Sequence, residues 1–388
     1  MGRLAWLCPL LFLLASNGGC TFYTACPTGT GNNGTGNSGN NGGSGSAGSG
    51  AGGGPTDLGP IPTGTWVNAT ANLANLASEC GNMSYLFAKP DEDLMIAGVA
   101  QQGLWSSTDG GMSWIQMGAG KGSDPITNRL SGIVFDPDDT NRFWESGLYN
   151  LGGVYETKDH GVTFERLGNV LHSDLVSVDL SDPDRQTLLA GGHEASRSLN
   201  LSTDGGQTWT PIGDGLPDAT NCTYPVVITK TTFLVGCGGY GGGPSGVYQS
   251  TDAGVTWTEL TALGGKAPPL LAADGSIYWA GGDALTRSTD QGATWGDELG
   301  KGIVGQYTPR DLPDGRIVTM SKDYVVISAD NGVTWKAASS ELPFSPVGLA
   351  YSSQQKAFFV WQQTCGFDGP VPVPADAIMR YDFDYTTQ

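Results

Sequence analysis

Five acidic side chains near the ends of predicted strands are candidates for hydrolytic chemistry. Cleavage of a glycosidic bond uses two carboxyl groups that flank the bond, one protonated and one ionised. The amino-acid sequence does not show which two lie at a working separation, and the alternative for each is a solvated surface carboxylate. The candidates are Glu145, Glu194, Asp283, Asp323 and Asp368.

Aromatic and polar side chains near the same segments are candidates for binding a ligand. An indole or phenol ring can stack on the apolar face of a sugar, and its polar atom can make a hydrogen bond. The alternative for the three tryptophans is packing in the core, because each lies in a predicted strand with apolar neighbours. The candidates are Trp144, His193, Arg197, Tyr240, Trp279, Tyr324 and Trp361.

The sequence predicts no metal site and no cofactor. The three histidines are His160, His172 and His193, and the chain has no HExxH motif and no Cys/His cluster. The DPDD segment at Asp136–Asp139 predicts a turn, because it lacks the spaced ligands of a calcium-binding loop.

Composition excludes several classes of protein. The 388 residues include 38 Asp and Glu against 19 Lys and Arg, a formal net charge of −19. Nucleic acids and anionic lipid surfaces attract clustered basic residues, so neither is an expected partner. With 61 glycines and 15% charged residues, the chain is also unlike a coiled coil or a long helical bundle.

A nine-residue pattern recurs six times and must position these side chains. Its core is Ser or Thr, any residue, Asp, any residue, Gly, any residue, Ser or Thr, then Trp or Phe. Asp can bond its own backbone two residues on, and Gly two positions later adopts a positive φ at little cost. The final Thr-Trp starts a strand. The copies are SSTDGGMSW, ETKDHGVTF, LSTDGGQTW, QSTDAGVTW, RSTDQGATW and ISADNGVTW, with aspartates Asp109, Asp159, Asp204, Asp252, Asp290 and Asp330.

This pattern resembles the Asp-box, also called the bacterial neuraminidase repeat. Similar repeats occur in sialidases, two-propeller xyloglucanases, sortilin-type receptors and photosystem II assembly factors. The resemblance implies an all-β fold, a β-propeller in which each Asp-box joins the third and fourth strands of a blade. It covers residues 63–388, which we expect to form one propeller domain.

Repeat counting predicts seven blades. Six boxes indicate six blades, and three further strands follow the last box. The segment Gly64–Val67 contains the Thr-Trp that begins each fourth strand, so we expect the N-terminal strand to complete blade 7 and close the ring. Closure removes exposed sheet edges. Six blades with spare strands is the alternative.

In propellers the ligand face carries the loops between second and third strands and those entering each first strand, with the boxes on the opposite face. In addition to the candidates named above, this loop arrangement implies that five further residues lie on the ligand face: Gln101, Gln102, Arg129, His172 and Asp174.

Sialidase chemistry is disfavoured. Sialidases bind an anionic substrate through three arginines, the first in an Arg-Ile-Pro motif. Here Pro60-Ile61-Pro62 has no arginine, and only Arg129, Arg197 and Arg310 could reach the ligand face. An acidic domain would also repel an anionic substrate.

The cysteines and the N-terminus predict export. We expect disulfides Cys222–Cys237 within blade 4 and Cys80–Cys365 between blades 1 and 7, which suit an oxidising compartment. Residues 1–19 resemble a signal peptide, and Cys20 after SNGG resembles a lipoprotein attachment site, with plain secretion as the alternative. Residues 20–62 are rich in Gly, Ser and Asn and predict a disordered tether.

These observations favour a monomeric, exported binding module for a glycan or a protein at the cell surface. A glycoside hydrolase acting on a neutral polysaccharide is the first alternative. An assembly factor for an envelope or membrane complex is the second.

Overall fold

The computed structural model describes residues 58–238, 244–304, 307–366 and 369–387. The signal segment, Cys20 and residues 20–57 of the expected tether lie outside these ranges, as do Tyr240 and Asp368. Residues 58–62 of that segment are described, and Leu58 O accepts a hydrogen bond from the Ala337 amide at 3.1 Å. Residues from Leu58 onward form one compact unit. Among the described residues, no helix is long and apolar enough to cross a membrane.

The described residues form seven antiparallel sheets, which confirms the predicted seven-bladed β-propeller. In six of these sheets every strand pairs with its neighbour in sequence, and the seventh also contains the first strand of the chain. Strands of the first three blades are β2 (Met83–Ala88), β3 (Met95–Val99), β4 (Gly103–Ser107) and β5 (Ile115–Gln116) in blade 1; β6 (Arg129–Phe135), β7 (Phe143–Leu148), β8 (Val154–Thr157) and β9 (Glu165–Arg166) in blade 2; and β10 (Ser173–Val178), β11 (Leu188–Gly192), β12 (Leu199–Ser202) and β13 (Thr210–Pro211) in blade 3.

Blades 4 to 7 follow the same order, except that blade 5 has three strands and a single bridge between Leu285 and Leu299. Their strands are β14 (Cys222–Val227), β15 (Phe233–Cys237), β16 (Gly246–Ser250) and β17 (Thr258–Thr261) in blade 4; β18 (Leu270–Leu271), β19 (Ile277–Ala280) and β20 (Leu285–Ser288) in blade 5; β21 (Arg310–Asp311), β22 (Ile317–Met320), β23 (Val325–Ser328) and β24 (Lys336–Ala337) in blade 6; and β25 (Gly348–Ser352), β26 (Ala357–Trp361) and β27 (Ile378–Asp382) in blade 7.

The first and last strands of the chain share one sheet. β1 (Val67–Asn68) pairs antiparallel with β27, and Val67 lies opposite Arg380. Short 3-10 helices occupy Ala71–Leu73, Gly213–Gly215 and Tyr385–Thr387. Nearby, the Cys80–Cys365 disulfide joins blade 1 to blade 7, as predicted.

Each Asp-box is a hydrogen-bonded turn between the third and fourth strand positions. In blade 4, Asp252 Oδ1 accepts hydrogen bonds from Ser250 Oγ at 2.8 Å and from the Thr256 amide at 2.9 Å. Its Oδ2 accepts one from Thr256 Oγ1 at 2.6 Å. These donors stabilise the ionised carboxylate, and they lower the pKa of Asp252 to about 2. The other five boxes repeat this geometry, with aspartates Asp109, Asp159, Asp204, Asp290 and Asp330.

The box tryptophans of blades 1, 3 and 4 connect neighbouring blades, whereas those of blades 5 and 6 donate to a carbonyl within their own box. Trp209 of blade 3 donates its indole N–H to Leu167 O, just after the last strand of blade 2. Trp114 of blade 1 does the same to Ala69 O, just after β1. Apolar side chains pack in the spaces between blades, so both faces of each sheet are buried.

Candidate functional site

The three tryptophans proposed from sequence as ligand contacts lie in the core. Trp144, Trp279 and Trp361 are at most 1% exposed. The guanidinium carbon of Arg142 lies 4.6 Å from the ring centre of Trp144. Trp279 donates its indole N–H to Ala267 O at 2.6 Å. Because none has a ring face open to solvent, the packing alternative fits all three.

The candidate carboxylates are separated. Glu145 is fully buried inside blade 2, whereas Asp283 and Asp323 are exposed in blades 5 and 6. Glu194 lies beside His193 in the segment between β11 and β12. Asp368 lies outside the described residues. Of the four described candidates, Glu194 is therefore the one that lies within a polar cluster of two blades.

That cluster is built around His193 and comprises Tyr149, His172, Asp174, His193 and Glu194, which we call the His193 cluster. His193 Nδ1 lies 3.0 Å from Asp174 Oδ1, and His193 Nε2 lies 2.8 Å from the Tyr149 hydroxyl. Glu194 Oε1 lies 3.4 Å from the same Nε2 atom. His172 Nδ1 accepts a 2.9 Å hydrogen bond from the Tyr149 amide. The cluster thus joins loops of blades 2 and 3.

The loops that carry these side chains have unusual backbone conformations. Tyr149, Asn150 and Leu151 have φ values of 52°, 33° and 69° in succession, and His172 and Glu194 have 49° and 51°. Left-handed conformations cost free energy in residues other than glycine, and such strain is concentrated at functional sites.

Two glycines position His193. A Cβ added at Gly192 would collide with Ser198, and one at Gly191 would collide with the Thr223 backbone. The His193 amide donates to His172 O at 2.7 Å. Close backbone approach, which only glycine permits here, therefore places His193 against the loop that carries His172.

Burial dominates the electrostatics of the cluster. It raises the pKa of Asp174, although the hydrogen bond and charge of His193 oppose this effect. Burial, followed by the negative charge of Glu194, raises the pKa of Tyr149 to about 12. Tyr149 is therefore a neutral phenol at physiological pH, able to donate and accept hydrogen bonds.

Arg129 contacts the cluster through the ring of Tyr149. Its guanidinium carbon lies 5.0 Å from the centre of the Tyr149 ring, and its Nη2 donates to Cys80 O. Burial lowers the pKa of Arg129, while Glu79, Tyr149 and Glu194 oppose that shift. With three nearby carboxylates and one arginine, the site carries excess negative charge and disfavours an anionic ligand.

The remaining candidates lie elsewhere. Arg197 forms an ion pair with Asp218 at 2.8 Å, and Arg310 donates to Leu349 O. Tyr324 is half-buried beside the apolar core between blades 5 and 6. Tyr240 lies outside the described residues. Within the described chain, no group of three or more His, Cys, Asp or Glu side chains is arranged to hold a metal ion.

Tyr149 and Glu79 were not among the residues predicted from the sequence. Tyr149 precedes the turn LGG, and nothing in its local sequence distinguishes it from a packing tyrosine. Glu79 accepts hydrogen bonds from Asn150 at 2.7 Å and Gln101 at 3.0 Å, contacts between distant residues that no local pattern reveals. None of the three consecutive residues with positive φ at Tyr149–Leu151 is a glycine, the residue type that would have indicated such a turn in the sequence.

The cluster suits recognition of a neutral hydroxylated ligand. The phenol, the imidazoles and the carboxylates supply donors and acceptors within one small area. Glu194 and Asp174 lie against opposite nitrogens of one imidazole ring. Two carboxyl groups near one site is also the arrangement from which glycosidases build an acid and a base.

Comparison with known proteins finds one repeat family and partial sequence similarity to xyloglucanases. The BNR/Asp-box repeat family matches residues 201–211. Xyloglucanase Xgh74A of Acetivibrio thermocellus is 24% identical over 269 residues, which cover 53% of this chain and 32% of that protein. A xyloglucanase of Paenibacillus sp. is 23% identical over 294 residues, which cover 71% of this chain and 26% of the relative. The chain thus spans about a third or less of the length of these curated relatives.

Solved structures share the fold. The GH74 xyloglucanase from Xanthomonas campestris superposes with a TM-score of 0.53 at 17% identity, covering 78% of this chain and 52% of that one. The extracellular domain of BT4673 from B. thetaiotaomicron gives 0.53 at 11% identity, covering 82% of this chain and 40% of that one. This protein is a seven-bladed Asp-box β-propeller, similar in sequence to part of the xyloglucanases.

Proposed function

We propose that the protein binds a neutral glycan at the His193 cluster. The observation that supports this most is the convergence of strained residues of two blades on one polar site. Sequence similarity to xyloglucanases favours a polysaccharide as the ligand class. The net charge of −19 and the carboxylates of the site disfavour an acidic glycan.

Calorimetry with neutral oligosaccharides tests this proposal. Xyloglucan and cello-oligosaccharides are titrated into the propeller and into a Tyr149→Phe variant. Loss of the hydroxyl that contacts His193 should weaken binding about fivefold, a typical effect of one hydrogen bond. Tyr385→Phe, in the C-terminal 3-10 helix, is the control. Absence of binding by the unmodified protein to every oligosaccharide would overturn the proposal.

A second candidate function is glycoside hydrolysis, which the xyloglucanase relatives and the two carboxyl groups of the cluster favour. Release of reducing ends from polysaccharides distinguishes it from binding alone. If the protein is an enzyme, Glu194→Gln should abolish release while oligosaccharide binding persists. Binding without release would leave the protein as a binding module.

We also propose that the protein is exported and held at a membrane by a lipid on Cys20. The two disulfides support folding outside a reducing cytoplasm. Cys20→Ser should move the protein from the membrane fraction to the soluble exported fraction. An unmodified protein found free in the medium would indicate plain secretion instead.

A further inference from the structure

A second concave site lies beside the His193 cluster, between blades 1 and 2, and we call it the interblade cleft. Residues 101–104, 116–119 and 124–127, together with Phe164, line it. Its volume is about 240 Å³. Pockets for drug-sized ligands measure roughly 300–1,000 Å³, so the cleft has room for one small ring.

The lining of the interblade cleft combines an apolar floor with an amide rim. Leu104 and Phe164 form part of the floor and are nearly fully buried. Gln102, which is half-buried, and Gln116, which is exposed, form the rim. Asp124 is the one charged residue among the described lining residues, which include no Lys, Arg or His. A phosphate, sulfate or uronate group would therefore find no cation here.

The rim glutamines are held by their amide nitrogens. Gln102 Nε2 donates to Ala77 O at 2.7 Å, and Gln116 Nε2 donates to Gln102 O at 3.0 Å. Their amide oxygens accept no hydrogen bond from the described residues and so remain available to hydroxyl donors. An apolar floor below such acceptors suits a sugar ring, which has an apolar face and hydroxyl edges.

The interblade cleft and the His193 cluster are joined through one carboxylate. Glu79 accepts hydrogen bonds from Gln101, which lines the cleft, and from Asn150, which follows Tyr149 in the chain. The backbone N–H of Gln101 also donates a hydrogen bond to Thr127 O across the cleft. Gln101 has a φ of 68°. Both sites therefore belong to one connected polar surface.

We propose that the interblade cleft is a second sugar subsite, which holds one neutral hexose ring of a chain that also contacts the His193 cluster. This inference rests on the proposed glycan binding. It adds to that proposal the position of a second binding site and a minimum ligand length, since a glycan must be long enough to reach both sites.

The test compares affinity along a series of cello-oligosaccharides from two to six glucose units, with xyloglucan oligosaccharides in parallel. The unmodified protein should bind the longest members about fivefold or more tighter than the shortest, because additional hydrogen bonds form. Gln102→Ala and Gln116→Ala should remove this gain and leave affinity for the shortest binding member unchanged. Gln207→Ala, exposed in the Asp-box of blade 3, is the matched control.

The outcomes separate the two proposals. Retained binding of the shortest member shows that each cleft variant is folded, and thermal unfolding checks this independently. If both cleft variants keep the full gain with length, the subsite is overturned while glycan binding stands. If the unmodified protein binds no member of either series, the proposed function fails and the subsite fails with it.

Discussion

Asp174 Oδ1 lies 3.0 Å from Nδ1 of His193, and this contact sets the hydrogen-bonding role of the imidazole. With Asp174 ionised, His193 Nδ1 carries the proton and donates a hydrogen bond to the Asp174 carboxylate. Nε2 is then an acceptor for the Tyr149 hydroxyl at 2.8 Å. Asp174 thus orients His193, and in the proposed glycan site it would act as a positioning residue.

Asp174→Asn should change the His193 tautomer. The Asn amide can donate to Nδ1, which moves the imidazole proton to Nε2 and removes the acceptor for Tyr149. We expect a shift in the ¹⁵N resonances of His193 and about tenfold weaker glycan binding, a cost of about 1.4 kcal/mol. Asp184→Asn, exposed in the same blade, is the control. Unchanged resonances and affinity would contradict the positioning role.

Glu145 should make the protein less stable at alkaline pH. Burial raises the pKa of Glu145 from 4.5 to about 8, although a hydrogen bond from Asn128 opposes this. Because the folded-state pKa is raised, its stabilising contribution is complete below the unfolded value and is lost as pH rises to about 8. The loss is at most about 5 kcal/mol in the free energy of unfolding.

Urea unfolding between pH 5 and pH 9 measures this contribution. Glu145→Gln keeps the shape and removes the charge, so it should flatten this part of the pH dependence. If the variant and the unmodified protein lose stability equally, Glu145 is not the group responsible.

Asp252→Asn should lower the midpoint of thermal unfolding at neutral pH. The carboxylate accepts three hydrogen bonds from its own turn, and an amide cannot accept them all. The folded pKa is depressed to about 2, so the stabilisation is present above pH 3.8 and disappears as pH falls towards 2. The difference between variant and unmodified protein should therefore shrink in acid. Asp297→Asn, an exposed aspartate after the next box, should change little.

The two disulfides should differ in their effect on stability. Cys222–Cys237 spans 15 residues and Cys80–Cys365 spans 285. A cross-link restricts the unfolded chain more when its loop is longer, so replacing both cysteines by Ala should cost about 3 kcal/mol for the short loop and about 5 for the long one. Equilibrium unfolding of the two double variants provides the comparison. Equal losses would show that loop length is not the deciding factor.

The seven-bladed fold was predictable from sequence because its signals are local. Each Asp-box carries its turn chemistry within nine residues, so Asp252 and its equivalents mark the third-to-fourth strand turns without reference to the rest of the chain. The Cys222–Cys237 pairing was predictable for a similar reason, since adjacent antiparallel strands place those residues opposite each other.

The candidate site was predictable only in part. His193, Glu194 and His172 lie in loops that the propeller resemblance assigns to the ligand face, and Asp174 lies at the start of β10. Only packing between blades brings them to Tyr149. Strand alternation also could not place Trp144, Trp279 and Trp361, because each blade lies between two others and both of its faces are buried. The chain by itself thus determined the turns and the blade number. The tertiary structure decided which loops converge and which aromatic rings are enclosed, because both depend on contacts between residues distant in sequence.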